Sequence, residues 1–174
     1  MQFHYSRQVI TILTVLLAMS SPNVITQTRY SYADNNWPDI RYTDSADGTV
    51  LDNVTNLIWH RCYLGLSGTA CETGSVTLMT WEQALQAAEA NTLAGANDWR
   101  LPNLKELYSL LAFDRSPMLN QTIFPGEAQP TWTSTIISRA GSSNAWLIRA
   151  SGTNPGFEAR RTSPLAVRLV RGGH

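Results

Sequence analysis

Two helix-start signals in the middle of the chain, with strand-like segments on both sides, most constrain its fold. Thr80 and Asn103 are capping residues, each followed three positions later by Gln83 or Glu106, which is the pattern of a capping box. Apolar residues then recur at helical spacing, and the two sets are Trp81, Ala84, Leu85 and Ala88, and Leu104, Leu107, Tyr108 and Leu111. The sequence therefore predicts two helices, the first ending near residues 93–95.

Strand-like segments precede and follow these helices. Asp47-Gly48 is a hairpin-turn signal between residues 41–44 and 49–52, and residues 57–59 follow as a third strand. Residues 116–130 are predicted as a long irregular loop because of their prolines. Strand-like patterns then return at residues 132–135, 145–149 and 166–171. This order predicts an α+β domain with an antiparallel sheet closed by its own ends.

The segment 97–107, NDWRLPNLKEL, connects the two predicted helices. Pro102 holds Leu101 extended, Asn103 caps the second helix, and Trp99 can lie between the helices. Asp98 and Arg100 stand two apart on extended chain, where we expect them to fix neighbouring loops. We therefore interpret the segment as a structural connector and not as a binding site.

The N-terminal segment is typical of an export signal. Residues 9–19 carry no charge, follow Arg7, and end near the small residues Ala18 and Ser20. The run is too short to span a bilayer. We expect residues 1–20 to be a signal peptide, residues 21–38 an N-terminal arm or linker, and residues 39–174 the domain. The mature chain would then be exported to the periplasm, the cell surface or the medium, with no transmembrane segment.

The two cysteines, Cys62 and Cys71, are expected to form a disulfide, because disulfides persist in exported proteins. A bridge across so short a loop would stabilise the fold by about 2.5–3 kcal/mol in the chain-entropy model. The alternative is half of a metal site, which would need histidines nearby, and residues 39–174 contain only His60 and His174. We expect no cofactor.

The charges balance overall but are unevenly distributed. The chain has 13 basic and 13 acidic residues, so no global field would recruit nucleic acid. Aspartates crowd the start of the domain, whereas six arginines follow residue 138, namely Arg139, Arg149, Arg160, Arg161, Arg168 and Arg171. Guanidinium groups pair bidentately with sulfate or carboxylate and would suit an acidic glycan. Alternatively, these arginines pair with the aspartates of the first hairpin across adjacent strands.

The ordered series of segments resembles the Lcl C-terminal domain family from about Arg41 to Gly172. The segments that carry the resemblance are RYTD (41–44), DGTV (47–50), DNVT (52–55), LIW (57–59), WEQA (81–84), LAG (93–95), DWRLPN (98–103), KEL (105–107), FP (124–125), WTST (132–135), AW (145–146) and VRLVR (167–171). The family is named for the C-terminal domain of a bacterial collagen-like adhesin that binds sulfated polysaccharides. The resemblance implies a secreted binding module of C-type-lectin-like α+β fold, with two helices packed on a small antiparallel sheet with long irregular loops.

This chain departs from the family pattern at two positions. Many relatives have a cysteine in the first helix and another in the final strand, where this chain has Ala88 and Leu169. Because a disulfide needs neighbouring positions, we expect Ala88 and Leu169 to pack near each other. The chain has no collagen-like Gly-X-Y repeat, so the trimeric stalk of the named adhesin is not expected.

From the arginines and the resemblance, we expect a secreted, non-enzymatic binding or adhesion module for an acidic or sulfated polysaccharide or a surface protein. The expected ligand-binding residues are Arg149, Arg160 and Arg161, the last two in a loop between strands, together with Trp132 stacking on a sugar. The other tryptophans are expected in the core. The alternative is a structural or assembly subunit of a pilus or cell-envelope complex, docked through its N-terminal arm.

No catalytic or metal site is expected. His60 beside Trp59 is predicted to alternate onto the solvent face of its strand, which favours a surface residue over a general base. Asp44, Asp47 and Asp52 supply ligand types that calcium prefers, but the Asp-Gly turn explains them more simply.

Overall fold

The structure is a computed structural model that describes residues 41–113, 116–152 and 154–172. The expected signal peptide and N-terminal arm, residues 1–20 and 21–38, lie outside the described residues, so both stay predictions. Within the described residues, no helix is long and apolar enough to cross a membrane.

The described residues form short antiparallel sheets and two helices in the predicted order. The strands are β1 (Tyr42–Asp44), β2 (Thr49–Asp52), β3 (Leu57–His60), β4 (Leu66–Ser67), β5 (Thr73–Gly74), β6 (Thr131–Ile136), β7 (Asn144–Ile148), β8 (Gly156–Arg160) and β9 (Val170–Arg171). The helices are α1 (Trp81–Glu89) and α2 (Leu104–Tyr108), and a 3₁₀ turn at Leu93–Gly95 lies between them. This arrangement agrees with the predicted α+β class.

The first sheet brings the first and last described strands together, as predicted. Its order is β1-β2-β3-β9, and Trp59 lies opposite both Val50 and Val170. All three side chains are fully buried, so this face of the sheet packs on the core. The β1–β2 turn is held by Asp47, whose Oδ1 accepts a hydrogen bond from Thr49 N at 2.9 Å. Gly48 has φ of +87°, a conformation that favours glycine.

The loop after β3 is closed by the predicted disulfide. Cys62 and Cys71 are bonded, with a Cα–Cα distance of 5.5 Å, so the alternative of half a metal site is wrong. Inside this loop β4 pairs with β5 in a two-stranded sheet. Its glycines, serines and threonines are typical of loops, which is why the sequence did not predict these strands.

The second large sheet has the order β6-β7-β8 and corrects one prediction. Arg160 and Arg161 were expected to lie in a loop between strands, but Arg160 is the last residue of β8, which pairs along its whole length with β7, and only Arg161 lies in the turn that follows. The strand alternates as an edge strand does, because Phe157 and Ala159 pack on the core while Glu158 and Arg160 are exposed. Residues 116–130 contain no helix or strand, as predicted.

Both capping boxes are confirmed. Gln83 N donates to Thr80 Oγ1 at 3.3 Å, and Thr80 N donates to Gln83 Oε1 at 2.9 Å. At α2, Glu106 N donates to Asn103 Oδ1 at 2.9 Å, and Asn103 N donates to Glu106 Oε2 at 2.7 Å. Helix α1 ends at Glu89, earlier than predicted, and the 3₁₀ turn accounts for the residues that follow.

Two apolar clusters form the core, and β7 lies between them. Ile148 belongs to the cluster built around Trp59 and Phe124, whereas Leu147 belongs to the cluster that contains Trp132. Full burial of such side chains contributes about 1.5–3 kcal/mol each. Ala88 and Leu169 are both buried in the second cluster, in agreement with the expectation that they lie near each other.

The connector 97–107 is confirmed as structural. Arg100 pairs with both carboxylate oxygens of Glu106, at 2.7 and 2.8 Å, and donates to Gly172 O at 2.9 Å. Asp98 lies 3.0 Å from Arg171, and Trp99 is buried with its Nε1 donating to Leu93 O at 3.1 Å. The connector therefore joins the start of α2 to the C-terminal strand.

Candidate binding surface

The aspartates of the first hairpin are paired with arginines of their own neighbourhood. Asp52 accepts from Arg41 Nε at 2.9 Å, and Asp44 forms an ion pair with Arg61. The alternative prediction that the C-terminal arginines pair with this hairpin is therefore wrong. The sequence analysis did not consider Arg41 and Arg61 as partners of these aspartates, although both are near them in the sequence.

The C-terminal arginines differ in whether they form an ion pair. Arg139 forms an ion pair with Glu158, and Arg171 pairs with Asp98 at 3.0 Å. Arg149, Arg160 and Arg161 form no ion pair with any residue of 41–113, 116–152 and 154–172. These three residues keep their positive charge available to a ligand.

Arg168 is not part of any surface. It is 1% exposed, and its Nη1 donates to the carbonyl oxygens of His60, at 2.9 Å, and Arg61. Its guanidinium lies over the rings of Tyr63 and Phe124, 4.2 and 5.0 Å from their centroids. Burial lowers the pKa of Arg168 because it penalises the charged form. The assignment of Arg168 to a ligand-binding set is corrected, and it is a structural cation of the core.

Arg149 and Arg161 each stack on an aromatic ring beside the second core cluster. The Arg149 guanidinium carbon lies 4.5 Å from the Phe157 centroid, and that of Arg161 lies 5.5 Å from the Trp81 centroid. Phe157 and Trp81 both pack against that cluster. Because stacking occupies the face of a guanidinium and not its edge, the in-plane N–H donors stay available to a bidentate acceptor.

Arg149 and Arg160 lie near opposite ends of β8, the edge strand of the second sheet. Arg149 N donates to Pro155 O at 2.8 Å, so Arg149 lies beside the start of β8, and Arg160 ends the strand. Five residues of strand separate Pro155 from Arg160, about 17 Å at the usual rise. Arg160 lies opposite Asn144 and on the same face as Glu158, whereas Arg161 turns toward Trp81.

The partly exposed tryptophan beside β8 is Trp146 and not Trp132. Trp132 has 0% exposure and its Nε1 donates to Met79 O at 2.9 Å, so no ring face is open for a sugar, and that expectation is corrected. Trp146 is partly exposed, lies opposite Glu158 in the β7–β8 register, and is a member of neither core cluster. Ala145 and Leu147 belong to the second cluster, so the alternation of side chains along the strand places Trp146 on the other face of β7.

We define the β8 surface as Arg149, Arg160, Arg161 and Trp146. It combines three cations that have no ion-pair partner among the described residues with one aromatic ring of the central strand β7. Arg160 and Trp146 lie on the face of Glu158, whereas Arg149 and Arg161 stack on rings that pack against the second core cluster. Glu158, the acidic residue on this strand, is neutralised by Arg139. Chemically, such a surface can bind anionic groups that repeat along an extended ligand.

A cleft of about 420 Å³ lies elsewhere, between the β1–β2 turn, the disulfide loop and Leu93. His60 lines it and is 8% exposed, with its ring 5.3 Å from that of Trp99, so the prediction of a solvent-facing His60 is wrong. Burial, and then the nearby Arg168, lower the pKa of His60 to about 4. In the part of the chain that the structure describes, no group of three His, Cys, Asp or Glu residues could hold a metal ion.

Comparison with known proteins places the chain in a family. None of the curated proteins matches it. The family model of the Lcl C-terminal domain matches residues 48–171, which include every strand from β2 to β9 and both helices. The match extends over more than half of the chain, from the β1–β2 turn to the end of β9. The chain therefore belongs to the Lcl C-terminal domain family.

Proposed function

We propose that this protein is an exported, non-enzymatic binding or adhesion module that recognises an acidic or sulfated polysaccharide through the β8 surface. The observation that carries the proposal is the set of three arginines along β8 that have no carboxylate partner among the described residues. The other arginines named above are either ion-paired or buried. A polyanionic chain supplies the missing counter-charges.

The stacked arginines support binding because they are partly ordered before a ligand arrives. Arg149 on Phe157 and Arg161 on Trp81 lose less side-chain freedom on binding than free arginines would. Trp146 adds a ring face of the kind on which sugars stack. Each exposed ion pair contributes only about 0.2–1 kcal/mol, so we expect modest affinity per site and a strong dependence on salt.

Three further parts of the proposal rest on different features. Family membership supports a C-type-lectin-like fold, as do the small antiparallel sheets and the two capped helices. The uncharged segment after Arg7 supports export. The absence of enzymatic activity is supported by the roles of its candidate groups, because both cysteines are in a disulfide and His60 is a poor base near neutral pH, with a pKa of about 4.

The test compares dextran sulfate with unmodified dextran, two ligands that share a backbone and differ in sulfate. We expect the protein to be retained on immobilised dextran sulfate and released by salt, with no retention on dextran. Arg160→Ser should weaken binding by about 1.5- to 5-fold. Lys105→Ser on α2 is the matched control, since it removes one exposed positive charge outside the β8 surface.

Two results would count against the proposal. Binding that survives the double change Arg160→Ser and Arg161→Ser would refute the β8 surface as the site. No retention on any anionic polysaccharide would refute glycan recognition and favour the assembly subunit docked through residues 21–38.

A further inference from the structure

The face of the second sheet that carries Arg160 is also the face on which α2 packs. The β7–β8 register places Ile148, Trp146, Gly156 and Arg160 on this one face, because residues directly opposite each other and residues two apart point the same way. Ile148 belongs to the same core cluster as Leu107 of α2. Helix α2 therefore covers the Gly156 end of the face, whereas Trp146 is partly exposed and Arg160 is exposed.

Tyr108 of α2 lies directly against β8. Gly156 has no side chain, and a Cβ atom built there would lie 2.6 Å from the hydroxyl oxygen of Tyr108. The Tyr108 ring therefore occupies the side-chain space of Gly156. Trp146 is a diagonal cross-strand neighbour of Gly156, a separation of about 7–8 Å that aromatic side chains can span. Tyr108 and Trp146 are thus neighbours on this face.

Phe113 extends this arrangement to a third ring. It stacks on Tyr108, with the ring centroids 6.3 Å apart and the ring planes 28° apart. Phe113 is nevertheless 55% exposed. Single exposed apolar side chains are common, but a continuous apolar patch on a surface is typical of an interaction site. We call Phe113, Tyr108 and Trp146 the aromatic row.

The aromatic row ends at a cation. Arg160 is a diagonal neighbour of Trp146 and forms no ion pair among the described residues. Glu158, which lies opposite Trp146, is neutralised by Arg139. The face therefore offers aromatic rings at one end and a positive charge at the other. Sugar rings have apolar faces that stack on aromatic side chains, and an anionic substituent pairs with a guanidinium.

We propose that the polysaccharide chain crosses this face from Phe113 to Arg160, with sugar rings stacked on Phe113 and Trp146 and an anionic group at Arg160. The inference rests on the proposed function and adds to it the path of the ligand and a contact that does not depend on charge. Tyr108, held between α2 and Gly156, is a positioning residue for Phe113. Salt screens the contribution of Arg160 but not the stacking, so the two contributions can be separated.

The test measures the affinity of the protein for dextran sulfate at several salt concentrations. Phe113→Ala and Trp146→Ala should each weaken binding by about 2- to 10-fold at every salt concentration, with the salt dependence of the parent. Arg160→Ser should instead make binding less dependent on salt. Phe113→Tyr keeps a ring and should bind like the parent. The matched control is Leu78→Ala, which trims a side chain that is 53% exposed and lies outside the aromatic row.

A direct signal comes from NMR spectra recorded during addition of dextran sulfate. The indole N–H of Trp146, identified by its loss in Trp146→Phe, should shift. The indole N–H of Trp132, which is fully buried and donates to Met79 O, should not.

The outcomes separate this inference from the proposed function. The aromatic row is refuted if the parent binds and Phe113→Ala and Trp146→Ala keep its affinity, or if their losses vanish as salt rises, as a purely electrostatic effect would. An unchanged melting temperature of Phe113→Ala shows that its loss of binding is not a loss of fold. A parent protein that dextran sulfate does not retain refutes the proposed function, and this inference with it.

Discussion

His60 should make the folded protein sensitive to mild acid. His60 is 8% exposed and its pKa is about 4, against 6.5 for an exposed histidine. Between these two values the unfolded chain binds a proton that the folded chain does not. The pKa of His60 is depressed in the fold, so its contribution to stability is present above pH 6.5 and is lost as the pH falls toward 4.

The size of this effect follows from the shift. At 1.36 kcal/mol per pKa unit, the difference amounts to about 3 kcal/mol between pH 7 and pH 4. Asp52 and Glu106 also have lowered pKa values, because of hydrogen bonds with Arg41 and Arg100 that outweigh their desolvation. Their contributions are lost below their ordinary values of 3.8 and 4.5, so His60 dominates between pH 6.5 and 4.5.

Urea unfolding at a series of pH values measures this contribution. The parent protein should lose stability steadily from pH 6.5 to 4.5, whereas His60→Phe should be nearly flat over the same interval. The slope is compared, not the absolute stability, because the substitution also changes packing against Trp99. Equal slopes in the two proteins would refute the assignment of a buried, neutral His60.

Two further substitutions test the structural roles assigned above. Arg168→Ala should destabilise the fold by about 3–5 kcal/mol in urea unfolding, because it leaves a cavity and two carbonyls without a donor, whereas Arg160→Ala should change stability by less than about 0.5 kcal/mol. A small effect at Arg168 would contradict its structural role. Asn103→Ala should cost about 1 kcal/mol through loss of the α2 cap, measured by thermal unfolding, and an unchanged melting temperature would show that the cap contributes nothing.

The features that the sequence predicted well are set by local chemistry. Thr80 and Asn103 cap helices through residues three positions away, the Asp47-Gly48 turn is two residues long, and the Cys62–Cys71 disulfide closes a short loop. Each depends on a few adjacent residues, so spacing alone was sufficient.

The features that it missed depend on which face of a strand the core covers. Trp132 and Trp146 both lie in strands and look equivalent in sequence, yet one is fully buried and the other is partly exposed. Arg168 and Arg160 also differ in burial, although Arg168 lies just before β9 and not in a strand. His60 was predicted to face solvent because it alternates with the buried Trp59 along β3. The alternation is correct, but Trp99 packs on the ring of His60, so the second face of β3 is covered as well.

The most direct test of the central claim is salt-dependent retention on dextran sulfate of the parent protein and of the triple variant Arg149→Ser, Arg160→Ser, Arg161→Ser. If the β8 surface binds anionic polysaccharide, the parent should be retained at about 50 mM salt and released well below 1 M, since salt screens exposed charges. The triple variant should pass through unretained while keeping the parent's melting temperature. Equal retention of the two proteins would contradict the proposed function of the β8 surface.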